Sequence, residues 1–183
     1  VPPNLDLSGY EEWPSGGSAY FEDYEVGEKI DHVDGMTIEE AEHATATRLY
    51  QNTAKVHFDA MQTKDTRFGR RLMYGGHVIS IARSLSFNGM ERVLGILAWN
   101  GGAHANPTFA GDTIYAYSES LDKADLPGRN DCGALRVRLV GLKDVRPAEA
   151  GFLLKVDKDG REVYHKDVVL DLDYWLLVPK RAR

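Results

Sequence analysis

Six histidines, His32, His43, His57, His77, His104 and His165, are the side chains of this 183-residue chain whose charge can change near neutral pH. They show no HExxH, HxH or Cys/His ligand spacing, so no metal centre is expected. No phosphate-cradling Gly-rich loop and no GxSxG elbow occurs. Cys132 sits in the loop-like context Asn130-Asp131-Cys132-Gly133, with nothing to activate it, and reads as a bystander. The stretch that stands out is Asn52 to Asp59: an amide, an imidazole five residues on at His57, and a carboxylate two beyond. A loop imidazole beside a pocket can give and take a proton near pH 7, and Asn52 could orient a water. The same spacing suits a histidine that only bonds its local backbone. Spacing alone leaves both readings open.

A second stretch offers the complementary chemistry. The pattern predicts a helix over residues 74–87, apolar nearly all round through Val78, Ile79, Ile81, Ala82 and Leu85, and therefore wrapped by sheet. Gly75-Gly76 stand at its start and Asn88-Gly89 stop it. Bare glycine backbone at a helix start exposes free N–H groups, which suit an anion or a developing negative oxygen. The alternative is a tight turn into a packed core. Arg70 and Arg71, just upstream, suit phosphate or carboxylate recognition, or equally a solvated basic patch.

Other elements must position these groups. Thr37 and Glu40 form a capping-box pattern that opens a helix to about Tyr50. A loop over 51–57 follows, and a short helix begins near Phe58-Asp59-Ala60. After Gly89 the chain turns β-like: 93–98, 113–117 and 134–142, then 152–156 and 163–178 joined by a hairpin at 157–160. Trp99, Asn100, His104 and Asn106 fall in a polar, Gly-containing strand region suited to lining a pocket. The reading is α+β, an antiparallel sheet curled around a long buried helix. One domain over 19–183 is expected, preceded by a Pro/Gly/Ser-rich linker or arm over 1–18. The formal charge of −6 without a basic tract argues against nucleic acid. With no membrane-length apolar run, no signal-peptide pattern and one cysteine, the default compartment is the cytoplasm.

Three stretches together resemble the MaoC-like dehydratase family, of hot-dog fold: FEDYEVGE, the helix leading into NTAKVHFDA at 52–60, and PTFAGDTI at 107–114. Order and spacing match over about 20–178. The wording of RLYQNTAKVHFDA, GRRLMYGGHVISIARSLSFNG and ILAWNGGAHANPTFAGDTIYA is similar to the carboxyl-terminal half of the family's tandem members. The resemblance implies a hydro-lyase acting on an enoyl-CoA thioester, with mesaconyl-CoA and β-methylmalyl-CoA as the pair interconverted. It implies no cofactor beyond the CoA carried by the substrate. It also implies pairing, either as a homodimer or with a second hot-dog domain. On the family pattern D-x-N-P-x-H-x-D, His57 falls on the histidine and Asp59 on the trailing aspartate, while Asn52 replaces the catalytic aspartate. Asn cannot take a proton, so His57 would carry proton transfer and Asn52 would hold water. Gly75, Gly76 and His77 match the helix start that polarises the thioester carbonyl, which implies the Gly76 and His77 amides as the donors and the His77 side chain as a further candidate for touching substrate. A hot-dog thioesterase and a non-catalytic half are the rival readings.

Overall fold

The computed structural model describes residues 1–11 and 13–181; Glu12 and the last two residues of the expected 19–183 domain, Ala182 and Arg183, lie outside the described residues. Among the described residues there are seven strands: β1 (Lys29–Thr37), β2 (Gly95–His104), β3 (Thr113–Asp125), β4 (Cys132–Lys143), β5 (Lys155–Lys158), β6 (Arg161–Tyr164) and β7 (Val168–Pro179). Five form one antiparallel sheet in the order β1-β3-β4-β7-β2, and β5-β6 make a separate hairpin. The helices are α1 (Glu40–Leu49), α2 (Ala60–Thr63) and α3 (Gly75–Leu85). This is the hot-dog arrangement, an antiparallel sheet against a central helix.

Strands β4 and β7 take interior positions in the sheet: one face of each is apolar, and the other combines a smaller apolar cluster with the mutually paired charges Arg136–Asp173 and Arg138–Asp171. Leu135, Val137, Leu139, Leu170, Leu172 and Tyr174 pack towards α3. Val140 and Leu142 pack on the opposite face, beneath Phe152, Leu154 and Tyr164. The α3 stripe Val78, Ile81, Ala82 and Leu85 is buried against the sheet. The helix is not wrapped all round, as its composition predicts. Ser80 and Ser84 on its other side are exposed, as is Phe87 just beyond its end, and Ser80 satisfies its hydroxyl on Gly76 O at 2.9 Å.

Several boundaries differ from the sequence reading. Thr37 does not cap α1; it ends β1, paired with Thr113, and the two hydroxyls bond at 2.8 Å. The helix opens at Glu40 instead. Strand β1 itself has no clear alternation in sequence, since it is an edge strand interrupted by a bulge between Asp31 and Gly35. What seats it is His32, whose Nδ1 donates to Asn88 O (2.7 Å) and whose Nε2 accepts from Ser118 Oγ (2.9 Å). The expected 163–178 strand is broken at 165–167, where His165 stacks on Phe152, so the hairpin folds onto the sheet's outer face rather than joining it. Cys132 is not in a loop but begins β4, fully buried. Residues 1–19 have no helix or strand among those described, yet Arg92 holds Gly17 O and Arg129 holds Leu5 O.

The turn over 107–112 positions the site. Gly111, at φ 94°, adopts the left-handed backbone that the turn needs. Its N–H donates to Ile38 O and Asp112 O accepts from Ile38 N, each at 2.9 Å, which fixes where α1 starts. Thr108 O accepts from Met73 N at 2.9 Å, which fixes the approach to α3.

Candidate active site

The loop after α1 is held by its own polar groups. Gln51 turns the chain at φ 52°, and Asn52 Oδ1 accepts from Ala54 N at 2.8 Å, an Asx turn. Residues 55–57 then make one helical turn, and Leu72 N donates to Val56 O at 3.0 Å, tying the loop to the segment before α3. His57 Nδ1 lies 3.1 Å from Leu72 O. A carbonyl only accepts, so Nδ1 carries a proton, and in the neutral tautomer it is Nε2 that presents the lone pair a general base needs. The His57 ring stands edge-on to Tyr74, with centroids 5.9 Å apart.

Tyr74 links this imidazole to the helix start. A Cβ placed on Gly76 would fall 2.6 Å from the Tyr74 hydroxyl, so the phenol lies across that glycine. A Cβ on Gly75 would fall 2.6–3.1 Å from three ring atoms of His104, which reaches over from the end of β2. A side chain at either position would force one of these rings to shift. The His77 amide, expected as a donor, is already used: it donates to Tyr74 O at 2.9 Å. The N–H groups of Gly75 and Gly76 find no acceptor among the described residues. They are the open pair at the positive end of an eleven-residue helix.

Two further histidines back this constellation. His43 on α1 is 1% exposed and its Nε2 has no hydrogen-bond partner among the described residues; the same holds for His77 Nε2, 3.8 Å from Glu42. Burial, reinforced by His57 and His77, pushes the His43 pKa below its ordinary value. Burial and then the neighbouring His57 do the same to His104. No spacing in the sequence marks His43 or Tyr74, because contacts between α1, the loop and α3 join residues far apart in the chain.

The remaining candidates are placed as follows. Asp59 caps α2, accepting from Gln62 N at 3.0 Å. Asn52 lines a groove of ≈ 480 Å³ with Thr47, Arg48 and Phe58, a groove whose lining does not include His57. Arg71 is ion-paired with Glu40, and the Arg70 guanidinium lies 3.9 Å from the centre of the Phe109 ring. Trp99 is 52% exposed beside Tyr174 at the sheet margin. Asn100 donates to Asp173 in the Arg136 ladder of the outer face, away from α3. No group of three or more His, Cys, Asp or Glu able to hold a metal ion occurs among the described residues.

Comparison with known proteins decides the family. The chain is 57% identical over 182 residues to β-methylmalyl-CoA dehydratase of Chloroflexus aurantiacus, covering 100% of this chain and 50% of the relative. It is 54% identical over 182 residues to mesaconyl-CoA hydratase of Cereibacter sphaeroides, covering 98% of this chain and 50% of that protein. A crystal structure of a MaoC domain dehydratase from Chloroflexus aurantiacus superposes with a TM-score of 0.89 at 56% identity, over 100% of this chain and 50% of its own. The chain belongs to the MaoC-like hot-dog dehydratase family. No family model matches it. This MaoC-like chain spans about half the length of the curated relatives it matches. None of its helices among the described residues is long and apolar enough to cross a membrane.

Proposed function

We propose that this MaoC-like chain carries the proton-transfer site of a hydro-lyase that interconverts mesaconyl-CoA and β-methylmalyl-CoA. The observation that supports it is the Tyr74 neighbourhood. A histidine with a free Nε2 lone pair and a helix start with two unused N–H groups flank the same side chain. In hydration, His57 Nε2 takes a proton from water as the oxygen bonds to the β-carbon. The π pair moves towards the thioester, whose oxygen is steadied by the Gly75 and Gly76 amides. The proton then returns from His57 to the α-carbon. Losing one such donor typically costs about 3 kcal/mol of barrier. Arg70 is the candidate for the CoA phosphates, while Arg71 already has a carboxylate partner.

Pairing with a second hot-dog unit fits the same reading. The α3 side bearing Ser80 and Ser84 is uncovered, as is Phe87 just beyond its end, Trp99 stands exposed at the margin, and β2 is a sheet edge. An open edge and an apolar margin together suit another sheet and helix.

The test is His57→Gln in the full-length protein, following the unsaturated thioester by absorbance with mesaconyl-CoA. The expected result is a roughly 10²–10⁴-fold loss in kcat. Turnover near the wild-type rate would rule the mechanism out, and release of free CoA thiol would favour a thioesterase.

A further inference from the structure

We propose that His104 is the second imidazole of the site and holds the reacting water together with His57. The proposal rests on the hydro-lyase reading above. The loop position that would supply a second proton-handling group is Asn52, whose side-chain oxygen is occupied by Ala54 N. The structure brings a different group to the helix start. Three atoms of the His104 ring lie 2.6–3.1 Å from where a Gly75 Cβ would be, against a residue whose N–H has no acceptor among the described residues. His104 is exposed as a residue although one side of its ring lies against Gly75, so water can reach it. His57 flanks the adjacent Tyr74 and is the titratable group whose charge His104 senses. Partial burial and then the charge of His57 lower the His104 pKa from its ordinary value, which favours the neutral ring, where one nitrogen can accept.

The division of labour follows. One O–H of the water gives its proton to His57 Nε2 as the carbon–oxygen bond forms, and that proton ends on the α-carbon. The other O–H stays bonded to oxygen throughout and donates a hydrogen bond to His104, which neither gains nor loses a proton. Both imidazoles must then be unprotonated for hydration. Gly75 is bare so that this ring can lie against the helix end.

The experiment compares His104→Phe and His104→Gln in the full-length protein with mesaconyl-CoA, each checked by thermal melt. His104→Phe keeps a ring but has no acceptor, and should lower kcat roughly 10- to 100-fold with KM little changed. His104→Gln restores an acceptor that does not titrate and should recover most of the loss. On the acid side, log kcat should rise with pH at a slope near 2 in the wild type and near 1 in His104→Gln. Should His104→Phe fail to fold, the slopes alone decide. Wild-type turnover in His104→Phe, or equal slopes in the wild type and His104→Gln, overturns the proposal. If His57→Gln is dead while His104→Phe is active, only this inference fails. If the wild type does not hydrate the thioester, the hydro-lyase reading fails.

Discussion

At the residue scale, Asn52 and His57 behave differently although they share one loop. His57 has its tautomer set by Leu72 O, a main-chain group fifteen residues on, so its reactive nitrogen is chosen by tertiary packing. Asn52 spends its oxygen on the turn that presents His57. An aspartate could make the same turn, since it accepts from the same N–H. Its charge would, however, repel a substrate bearing a free carboxylate by about 1–3 kcal/mol at a separation of a few ångströms. Asn52→Asp should therefore keep the melting temperature and lower kcat/KM about tenfold for mesaconyl-CoA, with little change for crotonyl-CoA. Steady-state kinetics with the two thioesters checks this, and an equal loss on both would contradict it.

At the element scale, the loop carrying His57 is tied down by the Leu72 N bond to Val56 O and runs into the short helix α2. The four-residue α2 is capped by the Asp59 carboxylate. Replacing that cap by alanine should cost about 1 kcal/mol of stability, whereas asparagine, which also caps, should cost little. Urea denaturation of Asp59→Ala and Asp59→Asn tests this. If both variants lose catalysis without losing stability, Asp59 instead acts on substrate. On the outer face, Arg138 and Tyr164 both bond Asp171, from β4, β6 and β7 respectively. Burial alone would raise the Asp171 pKa, but these bonds outweigh it and hold the carboxyl below its ordinary value. That network pins the β5-β6 hairpin to the sheet.

Across the whole molecule, acid should loosen the fold through histidines that the fold buries neutral. His32 and His43 both have pKa values lowered from 6.5, chiefly by burial. The unfolded chain binds protons more readily than the folded one. The stability they contribute is therefore complete above pH 6.5 and is lost as pH falls through that value towards the depressed folded pKa. Calorimetry should show Tm falling between pH 7.5 and 5.5, with a shallower fall in His32→Gln. A Tm independent of pH over that range would exclude the effect.

The sequence by itself determined the buried helix with its glycine start, most of the strands after Gly89, and the loop carrying His57, because hydrophobic periodicity and glycine placement are local signals. Its motifs were specific enough to point to the family. It could not reveal β1, whose pairing rests on a bulge and a buried histidine rather than on alternation. Nor could it tell that α3 is covered on one side only, since Ser80 and Ser84 suit a helix in either setting. Only the tertiary structure decided which backbone amides are open, since the His77 N–H is taken by a turn that sequence does not specify. The meeting of His57, Tyr74, Gly75 and His104 was likewise settled by folding, because turns at 51–57 and 107–112 bring distant segments to one helix end, and close approach between remote residues leaves no periodic trace in the chain.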